Sequence, residues 1–324
     1  MTDRTEASSN HAMRAPYLAT LAFILAAGCA VPNDDPAEVA TEEAEAPVQM
    51  LTWQDLLSRD RPSTPHTIRT GPSETDVVDL WLPDGEGPHP VVIMVHGGCW
   101  QKSIADHSLM DFAAEDLRQK GLAVWNIEYR GVDEDGGGYT GTFEDVARAA
   151  DAIREHAGAY NLKVDRIGAF GHSAGGHLAL WLAARPKLPK SSPLWKSDPL
   201  HIDLVINSGG LADLEASAPV TQVSCLGSIM DDLTGEASGS RTDVFSDTSP
   251  AALLPFAAHQ ISVNGEQDRI APPILGDAYS AKAKAAGSDA RFVLVPNTGH
   301  VELITPGSDA FELQAEILLR ELAD

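Results

Sequence analysis

The chain reads as an α/β protein built on a mostly parallel central sheet with helices on both faces. Three observations carry this. From residue 51 onward short apolar runs alternate with stretches of helical period. One run, Val91–Val95 (VVIMV), is apolar throughout, as a strand buried on both faces requires. A G-x-S-x-G pentapeptide, Gly171–Gly175, falls where an apolar run gives way to a helical pattern.

Taken in order, Val77–Leu82 is expected as an early strand and Val91–Val95 as a central one, followed by a helix over Asp111–Lys120. Ala123–Ile127 is the next strand, and Phe143–Ala157 the clearest helix. There Phe143, Val146, Ala147, Ala150 and Ile153 share one face, with Glu144, Asp145, Asp151 and Glu155 turned to water. Thr142, with Asp145 three residues on, suggests its N-cap. Ile167–Phe170 leads into a helix over Ala174–Ala184, which must stop before Pro186. Leu204–Asn207, Ile261–Val263 and Phe292–Val295 complete the strands, and a helix over Ser308–Leu322 closes the domain. Two insertions break the alternation: the Pro-rich 187–200, and 211–255 with a weak helical pattern around Cys225–Leu233. Insertions after the carboxyl ends of strands are expected to lie over the site in a cap-like manner.

The composition, 43% hydrophobic and 22% charged over 324 residues, is that of a globular protein. Asp and Glu number 47 against 23 Lys and Arg, a net charge of −24, which excludes nucleic acid as a partner because a phosphate backbone repels such a surface. Three Cys make no disulfide framework, and no CxxC or HExxH proposes a metal; no cofactor is expected. No apolar run reaches the roughly 18–20 residues of a membrane span.

The N-terminus carries its own signal. Tyr17–Gly28 is a run of 12 residues after Arg14, short of a span but suited to a secretory signal over residues 1–28. Ala26-Ala27-Gly28-Cys29 resembles a bacterial lipobox, with Ala26 where Leu is commoner, and predicts lipidation of Cys29. The polar stretch before Met13, with Asp3 and Glu6, is unlike a signal and points to Met13 as the start. Residues 29–50 read as a tether: 30–47 hold three Pro, six acids and no base, too polar to pack. Residues 51–324 form the folded body, itself acidic with 39 acids against 21 bases. An exported, membrane-anchored protein is expected, with a secreted soluble form as the alternative.

The chemistry concentrates in four places. A Ser in a strand-to-helix turn stands exposed at a helix N-terminus, where partial positive charge favours a developing anion. Ser173 is therefore the candidate nucleophile. His96-Gly97-Gly98-Cys99-Trp100 follows the central strand, and its Gly pair lets main-chain N–H groups point at an oxyanion. Gly98 and Cys99, with Ala174, are the candidate donors; His96 is expected to brace the loop and Trp100 to wall the pocket or enter the core. His300, after the last strand, is the candidate base, and Asp268, after the preceding one, the candidate orienting acid, with Glu266 as competitor. The order Ser, Asp, His suits a sheet-based triad. His172 and His177 flank the nucleophile, His172 as a pocket residue, and Glu302 is placed near the rim.

With these motifs in view the chain resembles an α/β-hydrolase of the kynurenine formamidase-like and feruloyl/acetylxylan esterase-like group, related to hormone-sensitive-lipase-type esterases. HGGCW at 96–100, WNIEYRG at 125–131, GHSAGGHLALWLA at 171–183, SPAALLP at 249–255, GEQDRIAPP at 265–273 and NTGHVELI at 297–304 carry the likeness. It implies that Ser173 attacks a carbonyl, His300 relays the proton and Asp268 holds the imidazole. Cys99 departs from the pattern, standing where lipase-type relatives have a third Gly. Cys99 and Cys225 are expected as two free thiols; a bridge between them is the alternative, since sequence does not set the distance between them.

A serine carboxylesterase acting on small short-acyl or aryl esters is the leading expectation. An arylformamidase using the same residues is the alternative, and a non-catalytic binding module a remote one. The oligomeric state is not legible.

Overall fold

A computed structural model describes residues 49–322. The expected signal, Cys29 and nearly all of the tether lie outside the described residues. Eight strands form one sheet: β1 (His66–Arg69), β2 (Val77–Trp81), β3 (His89–Val95), β4 (Ala123–Ile127), β5 (Leu162–His172), β6 (Leu204–Ser208), β7 (His259–Gly265) and β8 (Ala290–Val295). Their order is β1-β2-β4-β3-β5-β6-β7-β8. β1 and β2 pair antiparallel, as do β2 and β4, and the remaining pairings are parallel. β1 is an element the sequence reading missed, because Ile68 is its one buried apolar residue.

The helices are α1 (Trp53–Leu57), α2 (Asp111–Gln119), α3 (Gly141–Asp151), α4 (Ile153–His156), α5 (Ala174–Ala184), α6 (Leu214–Ser217), α7 (Met230–Thr234), α8 (Pro273–Ala285) and α9 (Asp309–Leu322). The unbroken apolar run of β3 is explained by two cores. Val91, Ile93 and Val95 belong to one with Phe143, Leu178 and Trp181; Val92 and Met94 belong to the other with Phe112, Leu117, Phe311 and Leu318. Every residue of α5 is buried, so its helix is apolar all round. α8 escaped notice because its buried stripe is sparse, with Gly276 and Ser280 between Leu275, Tyr279 and Ala283.

α3 departs from expectation in two ways. Its N-cap is Thr140, while Thr142 lies inside the first turn and donates its hydroxyl to the carbonyl of Arg130. Asp145 does not face water: it is 2% exposed and accepts hydrogen bonds from Arg130 Nε at 2.7 Å and Arg148 at 2.6 Å. Arg148 also pairs with Asp76 beside β2. The period of one helix cannot register arginines brought to it by tertiary folding.

The insertions are present where expected, but neither lines the central cavity described below. Residues 187–200 buttress α3 and α4, with Arg154 of α4 donating to the carbonyls of Asp198 and Pro199 and the Leu200 N–H to Asp151 of α3. Residues 211–255 carry α6 and α7 and run past the carboxyl edge of the sheet. Among the described residues no helix is long and apolar enough to cross a membrane.

Removing the Asp145 carboxylate would leave two arginines facing a buried gap. We expect Asp145→Ala to lower the unfolding free energy by about 2 kcal/mol, below the range for fully buried pairs because both arginines retain some solvent; urea titration followed by circular dichroism checks this.

Candidate active site

The site is assembled where β3 and β5 run side by side and the chain departs from them in opposite directions across the sheet. Val95 pairs with Gly171, so the loop after β3 and the turn after β5 leave the sheet at one level. Ser173 follows β5 with φ 55° and ψ −121° and precedes α5. That backbone is costly for a residue with a Cβ and is the strained turn that G-x-S-x-G implies. The two glycines are there for space: a Cβ on Gly171 would sit 2.0 Å from the Gly175 carbonyl oxygen, and one on Gly175 2.1 Å from that of Val95.

His300, in the loop after β8, shares an ångström-scale contact with Asp268, in the loop after β7. His300 Nδ1 lies 2.6 Å from Asp268 Oδ2, with both groups buried. The other oxygen of Asp268 accepts the N–H groups of Ile270 at 2.8 Å and Ala271 at 2.9 Å, which locks the carboxylate in place. Glu266, the competing acid, is exposed and accepts from the Asn297 N–H instead.

His172 Nε2 lies 3.1 Å from the carbonyl oxygen of His300, so the imidazole donates there and holds the backbone of the candidate base. Burial, together with the neighbouring His300, keeps His172 well below its ordinary pKa and hence neutral. Burial likewise lowers His177 to about 4; its ring joins Trp100 to the Thr248 carbonyl.

Glu302 is not at the rim. It is 7% exposed, and its two oxygens accept the N–H groups of Gly299, at 3.0 Å, and of Leu51. One carboxylate thus ties the His300 loop to the chain entering α1. From α1 the Trp53 ring packs edge-on against both His172 and His300, with centroids 6.2 Å away in each case. Sequence reasoning missed this wall: α1 is only five residues long and far from any motif.

On the opposite side, Gly98, Cys99 and Trp100 all have positive φ, at 110°, 52° and 56°. Among the described residues the main-chain N–H groups of Gly98 and Cys99 make no hydrogen bond to protein, and that of Ala174, in the first turn of α5, has no intrahelical acceptor. Trp100 is not a pocket wall: it is fully buried in the core, with Nε1 donating to His177 Nδ1 at 3.2 Å. The left-handed turn carries its side chain inward. Cys99 and Cys225 are not free thiols but a disulfide, their Cα atoms 5.0 Å apart. Folding of 211–255 back along the sheet edge closes a separation of 126 residues that sequence could not span.

His96 braces the loop as expected. Its Nδ1 lies 2.7 Å from the Gly97 carbonyl oxygen, its Nε2 3.0 Å from Glu128, and its ring stacks on Tyr129. Glu128, 2% exposed, also binds Lys102 and His107. Asp106, His107 and Glu128 bring their ligand atoms within 4.8 Å of one another, but these groups are already taken up by Lys102, His96 and Asp79.

These elements enclose a cavity of about 330 Å³. Ser173, His172, His300, Gly98 and Cys99 form its polar floor; Trp53, Leu57, Ile104, Leu109 and Ile270 are among its apolar walls.

A sheet of this order, with a strained Ser turn after β5 and a His–Asp pair from the last two strands, defines an α/β-hydrolase. The chain belongs to the BD-FAE family, whose model matches residues 78–282. It is 26% identical over 153 residues to a probable isoprenylcysteine alpha-carbonyl methylesterase of Arabidopsis thaliana, covering 46% of this chain and 31% of that protein. The chain thus matches about a third of the length of that curated relative. Similar solved structures include a truncated carbohydrate esterase from gut microbiota, with TM-score 0.64 and 19% identity over 82% of this chain and 98% of that one. Esterase B of Lactobacillus rhamnosis superposes with TM-score 0.68 and 18% identity over 82% and 88%. A thermophilic esterase of Thermogutta terrifontis gives 0.63 and 18% over 80% and 96%.

The network behind the Gly loop makes stability depend on pH. Burial opposes the charge on both partners. The hydrogen bonds of His107 to Asp79 and Glu128 nevertheless raise its pKa from 6.5 to about 10, and the facing His96 and His107 hold Glu128 well below 4.5. The raised His107 contributes fully below pH 6.5 and progressively less up to about 10; the lowered Glu128 contributes above 4.5 and less as pH falls below it. The stability difference between wild type and His107→Gln should therefore peak at about pH 5.5 and shrink steadily from about pH 6.5 to about pH 10. Urea titrations at a series of pH values measure it, and a difference independent of pH would show that His107 carries no charge in the fold.

Proposed function

We propose that the protein is a serine carboxylic ester hydrolase acting on small, uncharged short-acyl or aryl esters. The observation that carries this is the convergence on one apolar cavity of Ser173 in its strained turn, His300 bonded to Asp268, and the unpartnered N–H groups of Gly98 and Cys99. In this reading His300 Nε2 takes the proton from Ser173 Oγ as the oxygen attacks the ester carbonyl. Asp268, acting through Nδ1, holds the tautomer and stabilises the imidazolium. The N–H groups of Gly98, Cys99 and Ala174 receive the oxyanion. His300 then protonates the departing alcohol, and a water activated by the same imidazole releases the acid from the acyl-enzyme.

The formamidase alternative ranks lower. An amino-acid formamide brings a carboxylate that needs a cation, and among the described residues neither Lys nor Arg lines the cavity. The esterase among its relatives supports the same ranking. Export of the protein, with lipid on Cys29, is part of the proposal. The Cys99–Cys225 bridge supports it, since disulfides persist outside the reducing cytoplasm.

Turnover of p-nitrophenyl acetate by wild type and Ser173→Ala tests the reaction. Loss of at least about 10³-fold in kcat is expected for the variant, and N-formylkynurenine should be a much poorer substrate. A formamide preference would reverse the ranking. The wall from α1 should also matter. Trp53→Ala is expected to lower kcat/KM for p-nitrophenyl hexanoate about tenfold more than for the acetate, through the lost apolar contact with the longer acyl chain. Paired kinetics on the two esters check it.

A further inference from the structure

Cys99 occupies a position that suits a residue without a side chain. Gly98, Cys99 and Trp100 run consecutively through positive φ, and the Cβ of Cys99 makes its 52° unfavourable. On either side the loop is pinned. The Gly98 carbonyl accepts the Gln101 N–H at 2.9 Å, and the Trp100 carbonyl accepts the Val132 N–H at 2.7 Å while its ring is locked in the core. At Cys99 itself the anchor is the bond to Cys225.

Cys225 is a firm post. It is 2% exposed, and its N–H donates to the Thr221 carbonyl at 3.1 Å. The adjacent Ser224 hydroxyl donates to the Thr221 carbonyl at 3.1 Å and lies 3.5 Å from the carbonyl of Ile270, whose own N–H is bound by Asp268. The insertion 211–255 is therefore bonded to the donor loop and lies against the loop of the candidate acid, although it contributes no wall to the cavity.

We propose that Cys225 is a positioning residue for the reaction: through the disulfide it holds Cys99 in the left-handed conformation that its oxyanion-binding N–H requires. The inference rests on the ester-hydrolase reading above. Its consequence is a dependence of turnover on redox state. A dithiol such as dithiothreitol attacks one sulfur of the bridge and forms a mixed disulfide. Its second thiol then closes to the cyclic disulfide, so that two electrons and two protons pass to Cys99 and Cys225. Freed of the bridge, Cys99 relaxes toward negative φ and the donor is misplaced. Because the oxyanion exists only at the transition state, kcat falls while KM holds.

The test compares full-length wild type, Cys225→Ser, and the double variant Cys99→Gly/Cys225→Ser on p-nitrophenyl acetate. Cys225→Ser should lose about 10- to 100-fold in kcat with little change in KM, short of the loss from deleting a donor outright. The double variant also lacks the bridge, but glycine adopts positive φ without penalty, so it should recover most of the lost rate. A purely structural bridge would leave both variants equally impaired. That outcome, or an unchanged kcat in Cys225→Ser, overturns the inference. Should Cys225→Ser fail to fold, reduction of folded wild type by dithiothreitol replaces it, with circular dichroism confirming that the fold persists; a kcat unchanged on full reduction is then the overturning result. Ser173→Ala, run in parallel, keeps the two readings apart. Turnover surviving in that variant sinks the ester-hydrolase mechanism itself, whereas its loss alongside an unaffected Cys225→Ser sinks only the role of the bridge.

Discussion

The parallel pairing of β3 with β5 is the constraint on which the site depends. It is the point where the chain leaves the sheet in both directions, and it brings two loops to one level above the carboxyl edge. The approach is close enough that Gly175 of α5 lies against the Val95 carbonyl with no room for a Cβ. A side chain there would push the helix off the strand, and Ser173 with it, away from the Gly loop. The tightness of this contact sets how near Ser173 comes to the Gly loop.

Around that contact the protein spends its buried polar groups on holding loops. His172 binds the His300 backbone, Glu302 binds the loop before it, and Asp268 binds its own loop as well as the imidazole. Glu128 does the same for the Gly loop through His96. Each of these side chains has a partner, although Nδ1 of His172 is left without one, and each pair restrains a segment that carries a proposed catalytic group. Three such segments leave different strands of one sheet, which supplies a rigid base for a geometry that loops alone could not keep.

Part of the cavity wall comes from outside the motifs. Trp53 and Leu57 come from a short helix ahead of the stretch matched by the family model, and the bridge from Cys99 reaches into an insertion. The other apolar walls, Ile104, Leu109 and Ile270, lie within that stretch, while His300 lies beyond it. One fold serves many functions through differences of this kind at the site.

The central strands, α5 and the closing helix were legible because each is a local pattern. An apolar run, a helical stripe or a Gly-bounded turn records burial and strain in adjacent residues. That is also why Ser173, Asp268 and His300 could be named from their places after strands, and why the structure finds them at one edge. What lay beyond reading was each contact made by residues distant in sequence. Asp145 looked solvated until Arg130 and Arg148 were folded onto it, and Glu302 looked peripheral until Leu51 was found on its carboxylate. Trp100 could face cavity or core until the positive φ of the loop turned it inward. Cys99 and Cys225 became a disulfide only when an insertion crossed the sheet edge. Sequence alone determined the central strands, the helices that follow β5 and close the domain, and the residue types at the strand ends, but not β1, α1 or α8. The tertiary structure decided which groups meet, because pairing of charges, rings and sulfurs depends on distances that no local period encodes.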